Sequence, residues 1–133
     1  MHILFVDDQE IKITPVITEL KKLGVDFTYD TAKSMSTGAL YIKETTPDLV
    51  VLDMGLPSFD NEPVLDNSFG LQLVNDIKKH SPDCHIIIYS QTYAPVNFIK
   101  NKKKQGVSIE QITKINPFSV AKRIEQIMID AKR

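Results

Sequence analysis

Leu49-Val50-Val51-Leu52-Asp53 decides the fold: four consecutive aliphatic residues ending on a carboxylate. A run this short and without polar alternation reads as a strand covered on both faces, because a half-exposed strand alternates and a buried helix is longer. Two further runs share the pattern, Ile3-Leu4-Phe5-Val6 before Asp7-Asp8 and Ile86-Ile87-Ile88-Tyr89 before Ser90. Weaker stretches from Val25 to Tyr29 and from Ile109 to Thr113 bring the expected strands to five.

Between the strands the apolar period changes to that of a helix. Ile13, Val16, Ile17, Leu20 and Leu23 form one stripe, closed by Gly24. Pro15 costs nothing in a first turn, which places the start of this helix near Lys12. Further helices are predicted over Lys33 to Glu44, stopped by Pro47, Phe69 to His80, stopped by Pro82, and Tyr93 to Gln105, ended by Gly106. The last opens with Asn116 as cap and Pro117 at the first helical position. Buried strands alternating with amphipathic helices specify an α/β protein: a five-stranded parallel sheet with helices on both faces, joined by right-handed crossovers.

At 133 residues the chain is expected to form one domain, residues 1–133, with a core that needs no staple. The lone Cys84 has no disulfide partner and no ligand-spaced companion. A secreted disulfide scaffold and a zinc ribbon are thereby excluded, and a reducing cytoplasm is expected. His2, His80 and His85 lack metal-ligand spacing. No basic leader precedes the first strand, and apolar runs of four residues are far short of the ~20 that cross a bilayer, so neither export nor a membrane role is expected. Net charge is −1 but uneven: residues 44–77 hold 7 acidic and 0 basic side chains, which disfavours nucleic-acid or phosphate binding there, whereas residues 78–133 hold 11 basic and 4 acidic ones. The lysines from Lys100 to Lys104 read as a solvated helix end.

Ligands of an open parallel sheet bind at the carboxyl ends of its strands. The first strand ends in Asp7-Asp8, the third in Asp53, the fourth in Ser90 and the fifth just before Lys114. Three converging carboxylates repel one another unless a cation lies between them, and their hard oxygens suit Mg²⁺. An aspartate beside such an ion can attack a phosphoryl group while a hydroxyl and an ammonium stabilise its oxygens. The pattern reads as a phosphate acceptor.

In this order the residues resemble the receiver domains of two-component response regulators, over nearly the whole chain. The quoted segments are Asp7-Asp8 after an apolar strand, Pro47 to Met54 followed by Leu56-Pro57, Ile86 to Ser90, and Lys114 before Pro117-Phe118. The resemblance implies a flavodoxin-like (βα)5 fold in which Asp53 is phosphorylated, Ser90 is the switch hydroxyl and Lys114 contacts the phosphate. It implies Mg²⁺, with Mn²⁺ as a substitute, on Asp7, Asp8, Asp53 and the backbone carbonyl of Gly55. It also implies a phosphoryl donor that is a histidine kinase or a histidine phosphotransfer protein, and no turnover beyond self-phosphorylation and slow self-dephosphorylation. With no effector domain expected, output passes to an unknown partner protein and not directly to DNA.

The sequence departs from the family at several points. Gln91 stands where the family has a small residue, Gln111 where it has an aromatic, and Ile115 and Asn116 separate Lys114 from Pro117. The loop from Ser58 to Ser68 is longer than the family's before Gly70, which resembles its loop glycine. Asp60, Glu62 and Asp66 there are solvated charges or overhang the site. Gln91, Gln111 and the Lys114 segment favour the alternative of a pseudo-receiver, an interaction module that is never phosphorylated, whereas the intact Asp7, Asp8 and Asp53 argue against it. A flavin or nucleotide carrier is disfavoured because Asp7-Asp8 would repel its phosphate, and an aspartyl phosphatase because Gly55 stands where it keeps a second aspartate.

Overall fold

The computed structural model describes residues 1–64, 68–92 and 94–132. Its elements alternate as β1 (His2–Val6), α1 (Glu10–Lys22), β2 (Thr28–Ala32), α2 (Met35–Thr45), β3 (Leu49–Leu52), α3 (Ser68–His80), β4 (His85–Tyr89), α4 (Val96–Lys104), β5 (Ile109–Ile112) and α5 (Pro117–Ala131). All five strands run parallel in one sheet of order β2-β1-β3-β4-β5. That order winds the chain outward from β1 in both directions and leaves a crevice between β1 and β3 at their carboxyl ends.

The strand period of two divides the core into two layers. Ile3 and Phe5 of β1, Leu49 and Val51 of β3, and Ile87 and Tyr89 of β4 pack under α1 and α5. Leu4, Val6, Val50, Leu52, Ile86 and Ile88 face α2, α3 and α4. Every one of them is buried. At about 1.5 to 3 kcal/mol for each fully buried large apolar side chain, these three strands are the main anchor of the sheet.

Helix ends follow local chemistry. The Ser34 hydroxyl accepts a hydrogen bond from the Thr37 N–H at 3.2 Å, and Thr46, at φ 43° in the left-handed region, ends α2 before Pro47. The Asn116 side chain accepts from the N–H groups of Phe118 and Ser119 at 3.0 and 3.3 Å, with Pro117 in the first turn as predicted.

Several boundaries differ from the sequence expectation, those of α1, β2 and α4 with a physical reason or a consequence. Helix α1 begins at Glu10, so Pro15 is its sixth residue. Pro15 has no N–H to donate to the Ile11 carbonyl one turn back, and the site is tolerated because Ile11 is 85% exposed and that carbonyl lies on the solvent side. Strand β2 lies at Thr28–Ala32, beyond the apolar stretch expected to form it, because its position is set by the ladder to β1, His2 opposite Thr28 through Val6 opposite Ala32. As an edge strand β2 buries fully only Ala32, while Val25 and Phe27 pack on the core from the segment before it. Helix α4 begins at Val96, and the expected first residue, Tyr93, lies outside the described residues.

The run of lysines on α4 is only partly solvated. Lys102 donates to Asn75 on α3 and lies over the Phe98 ring, 5.4 Å from its centroid. Lys78 on α3 donates to Gln105 at 2.6 Å, so polar contacts tie α3 to the end of α4. No described helix is long and apolar enough to cross a membrane.

Candidate functional site

The β1 and β3 ladders continue one residue beyond the strands. The Asp7 N–H donates to the Ala32 carbonyl and the Asp53 N–H to the Val6 carbonyl, both at 2.9 Å. Register pairs Val6 with Leu52, which sets Asp7 beside Asp53. Both aspartates continue the odd-numbered positions that face α1 and α5, so their carboxylates lie on that side of the sheet edge. Asp7 is 5% exposed and Asp53 9%. Asp8 follows in the turn, and carboxylate oxygens of Asp7, Asp8 and Asp53 lie within 4.8 Å of one another.

The turn that leads into α1 brings a fourth charge. Asp7 Oδ1 accepts from the Gln9 N–H at 2.9 Å, folding the chain straight into the helix. Lys12, in the first turn of α1, then reaches back over the sheet edge. Its ammonium lies 2.7 Å from Asp7 Oδ2 and 3.5 Å from Asp53 Oδ1, with the side chain 9% exposed. The same ammonium is 5.1 Å from the centroid of the Tyr89 ring. Sequence reading missed this residue because Pro15 put the helix start at Lys12. One signal was available: a lysine in a first turn opposes the helix dipole and needs acidic partners.

Burial pushes the Asp7 carboxyl up to about 6, reinforced by the Asp53 charge and opposed by Lys12. The Asp8 carboxyl is raised by the same two causes, burial first and Asp53 second. One ammonium therefore does not neutralise three carboxylates, and the site retains an excess of negative charge. Its all-oxygen donor set fits a hard divalent cation.

A cleft of about 230 Å³ opens beside these groups, lined by Asp8, Lys12, Asp53, Gly55, Ser90 and Gln91 among others. The Gly55 N–H points to Asp53 Oδ1 at 3.4 Å. Ser90 is buried, and its hydroxyl oxygen accepts from the Thr92 N–H at 3.2 Å. Gln91 is exposed at the cleft wall. Asp7, Asp8, Asp53, Gly55 and Ser90 thus gather at one edge. Lys114 does not join them: it is exposed, makes no ion pair among the described residues, and does not line the cleft. No peptide bond among the described residues is cis, so Ile115 follows a trans bond.

Gln111, which stands at the family's aromatic position, accepts from the Ala94 N–H at 2.7 Å and so anchors the loop after β4 to β5. Among the described residues, the loop after Pro57 is bound to α2, and its Asp60 charge is directed there. Asp60 Oδ1 accepts from the hydroxyls of Ser34 and Thr37 at 2.6 and 2.7 Å, which holds its carboxyl below the usual range although the group is open to solvent. Backbone N–H groups of Met35 and Ser36 donate to the carbonyls of Pro57 and Ser58, both at 3.0 Å. Val64 is the loop residue at the cleft, and Asp66 lies outside the described residues. Gly70 belongs to the first turn of α3 and not to the loop, pressed against the backbone of Met54.

A larger cavity, about 530 Å³, lies at the opposite edge of the sheet and is lined by Asp48, His85 and Arg123 among others. Two of its polar residues are paired with a neighbouring carboxylate: Arg123 donates to both oxygens of Glu110 at 2.6 and 2.8 Å, and His85 pairs with the same carboxylate at 3.0 Å. Cys84 is buried, and burial followed by the Asp48 charge pushes its thiol up to about 12, so it is not poised as a nucleophile.

A family model described as a response regulator receiver domain matches residues 3–114. Among solved structures, a CheY-like response regulator receiver domain protein from Methanospirillum hungatei JF-1 superposes with a TM-score of 0.74 at 19% identity, covering 98% of this chain and 95% of that one. A response regulator from Burkholderia pseudomallei, solved with a phosphorylated aspartic acid, calcium ion and citrate, gives 0.65 at 17%, covering 96% and 72%. The BeF3-activated receiver domain of DrrB, from Thermotoga maritima, gives 0.67 at 20%, covering 96% of each chain. Comparison with curated protein sequences returned no match.

Proposed function

Because the chain belongs to the response regulator receiver domain family, we propose that it is a signalling switch in which Asp53 accepts a phosphoryl group from a phosphohistidine. The observation that carries this reading is the convergence of Asp7, Asp8 and Asp53 oxygens within 4.8 Å of one another beside an open cleft. A carboxylate oxygen of Asp53 attacks phosphorus, the donor's N–P bond breaks, and its electron pair returns to the imidazole, which takes a proton from solvent. The product is an acyl phosphate on Asp53. Asp7, Asp8, Asp53 and the carbonyl of Gly55 would hold Mg²⁺, or Mn²⁺ in its place, whose charge offsets that of carboxylates and phosphoryl group. Ser90 borders the cleft and supplies a hydroxyl for a phosphoryl oxygen. The hydroxyl can donate to that oxygen while still accepting from the Thr92 N–H, which ties the modified site to the loop after β4.

The donor in this reading is a histidine kinase or phosphotransfer protein, and the output is a changed affinity for a partner protein. Two structural relatives support the chemistry, one solved with a phosphorylated aspartic acid and one in a BeF3-activated form. Beryllofluoride mimics a phosphoryl group on a carboxylate, so thermal unfolding with and without it is the test. In Mg²⁺ the unfolding temperature should rise on addition of beryllofluoride, and the rise should vanish in EDTA and in Asp53→Asn. A rise of equal size in Asp53→Asn would reject Asp53 as acceptor.

A further inference from the structure

We propose that Lys12, reaching over from α1, is the cation that contacts the phosphoryl group on Asp53, the part that the family resemblance assigns to Lys114. The inference rests on the acceptor reading given above and adds a residue to it. Among the described residues, Lys12 is the basic side chain that forms an ion pair with Asp53, at 3.5 Å. Lys114 is exposed and forms no ion pair among the described residues, with Ile115 and Asn116 between it and the start of α5.

Three features fit Lys12 for this part. Its side chain is 9% exposed and its ammonium sits over the Tyr89 ring, so the charge is placed by packing and not by a mobile surface stem. It is anchored on a helix by backbone hydrogen bonding, and the 2.7 Å pair with Asp7 fixes the ammonium at the end of β1 while leaving it directed to β3. Finally, it lines the same cleft as Ser90, so hydroxyl and ammonium flank one space next to Asp53. Phosphorylation replaces a single negative charge on Asp53 with a group of higher charge. The ammonium that now pairs with Asp53 Oδ1 at 3.5 Å turns to a phosphoryl oxygen, and the contact with Asp7 can persist. No bond in this step forms or breaks beyond those of the transfer itself.

The test compares full-length wild type, Lys12→Met, Lys12→Arg and Lys114→Met. The first measurement is the rate of phosphate incorporation from acetyl phosphate in saturating Mg²⁺, and the second is the affinity of the unmodified protein for Mn²⁺. Methionine keeps the length and the contact with Tyr89 but removes the charge. Lys12→Met should incorporate phosphate roughly tenfold or more slowly, the size of one charge-assisted contact. Lys12→Arg should recover part of the rate, and Lys114→Met should stay within about twofold of wild type by the same yardstick. Mn²⁺ should bind Lys12→Met at least as tightly as wild type, since a positive charge has left Asp7; slower incorporation is then not a damaged metal site. A Lys12→Met rate equal to wild type overturns the inference and leaves the acceptor reading standing. So does a loss confined to Lys114→Met, or one matched by a parallel loss of Mn²⁺ affinity. A wild type that takes up no phosphate overturns the acceptor reading, and the inference with it.

Discussion

Asp60 is hydrogen-bonded to Ser34, whose hydroxyl donates to its Oδ1 at 2.6 Å. The contact joins the long loop after Pro57 to the N-terminus of α2, where Ser34 is itself the cap. A carboxylate at that end of a helix is favoured by the unpaired N–H groups and the dipole. The first acidic residue of the loop is thereby held on α2, and among the described loop residues Val64 lines the cleft.

Replacing Asp60 should therefore act on stability before it acts on chemistry. Asp60→Ala is expected to lower stability by about 0.5 to 1 kcal/mol, the range of an exposed helix-terminus charge. The Asp60 carboxyl is held below its ordinary value, so its contribution is present at neutral pH and fades as the pH falls through the carboxylate range. Urea unfolding at pH 7 and pH 3 checks this: the difference between variant and wild type should be smaller at the second than at the first. Phosphate incorporation should be unchanged.

The opposite pH dependence is expected from Asp7. Its carboxyl is raised to about 6, so the folded chain binds more protons than the unfolded chain between the ordinary carboxylate value and that pH. Stability must then fall as the pH rises through this window. In EDTA the unfolding temperature should be higher at pH 5 than at pH 7.5, and the shift bounds the effect at roughly 3 kcal/mol. Asp53→Asn removes one of the repelling charges and should both raise the unfolding temperature at pH 7.5 and flatten the slope. A wild-type slope preserved in Asp53→Asn would show that the two carboxylates are uncoupled.

Gly70 has no room for a side chain. A Cβ there would lie 2.8 Å from the Met54 Cα and 2.9 Å from its carbonyl oxygen, both backbone atoms next to Asp53 in sequence. Gly70→Ala should cost about 1 to 3 kcal/mol, as overpacking does, despite alanine's better helix propensity. Thermal unfolding of the variant measures it, and a neutral or stabilising effect would mean that α3 shifts away without penalty.

The Gln111 contact with Ala94 should hold the loop after Ser90 in place. Gln111→Leu keeps the bulk but leaves the Ala94 N–H without its acceptor, at a cost of about 1 to 3 kcal/mol if that N–H stays buried. Amide hydrogen exchange at Ala94 should accelerate while exchange in β3 is unaffected. Unchanged protection at Ala94 would show that the loop is held by other contacts.

The central strands were legible in the sequence because Leu49 to Leu52 and Ile86 to Tyr89 are buried on both faces, and burial of that kind leaves an uninterrupted apolar run. Edge strand β2 was not, because its place is dictated by hydrogen bonds to β1 rather than by its own side chains. The carboxylates were legible for a related reason: Asp7 and Asp53 directly follow buried strands, and the sheet register does the rest. Lys12 and Asp60 were hidden. Each acts through a side chain that folds back on another element, and Pro15 concealed the first by suggesting a later helix start. Lys114 was read from its neighbours in sequence, yet reach depends on the path of the loop that carries it.

The most direct measurement of the central claim is the map of phosphate on the chain after incubation with acetyl phosphate and Mg²⁺, read by mass spectrometry of its peptides at low temperature. One phosphoryl group on the peptide holding Asp53, absent in EDTA and absent in Asp53→Asn, is the expected result. A chain that stays unmodified in saturating Mg²⁺, as a pseudo-receiver would, or one modified equally in Asp53→Asn, would contradict it.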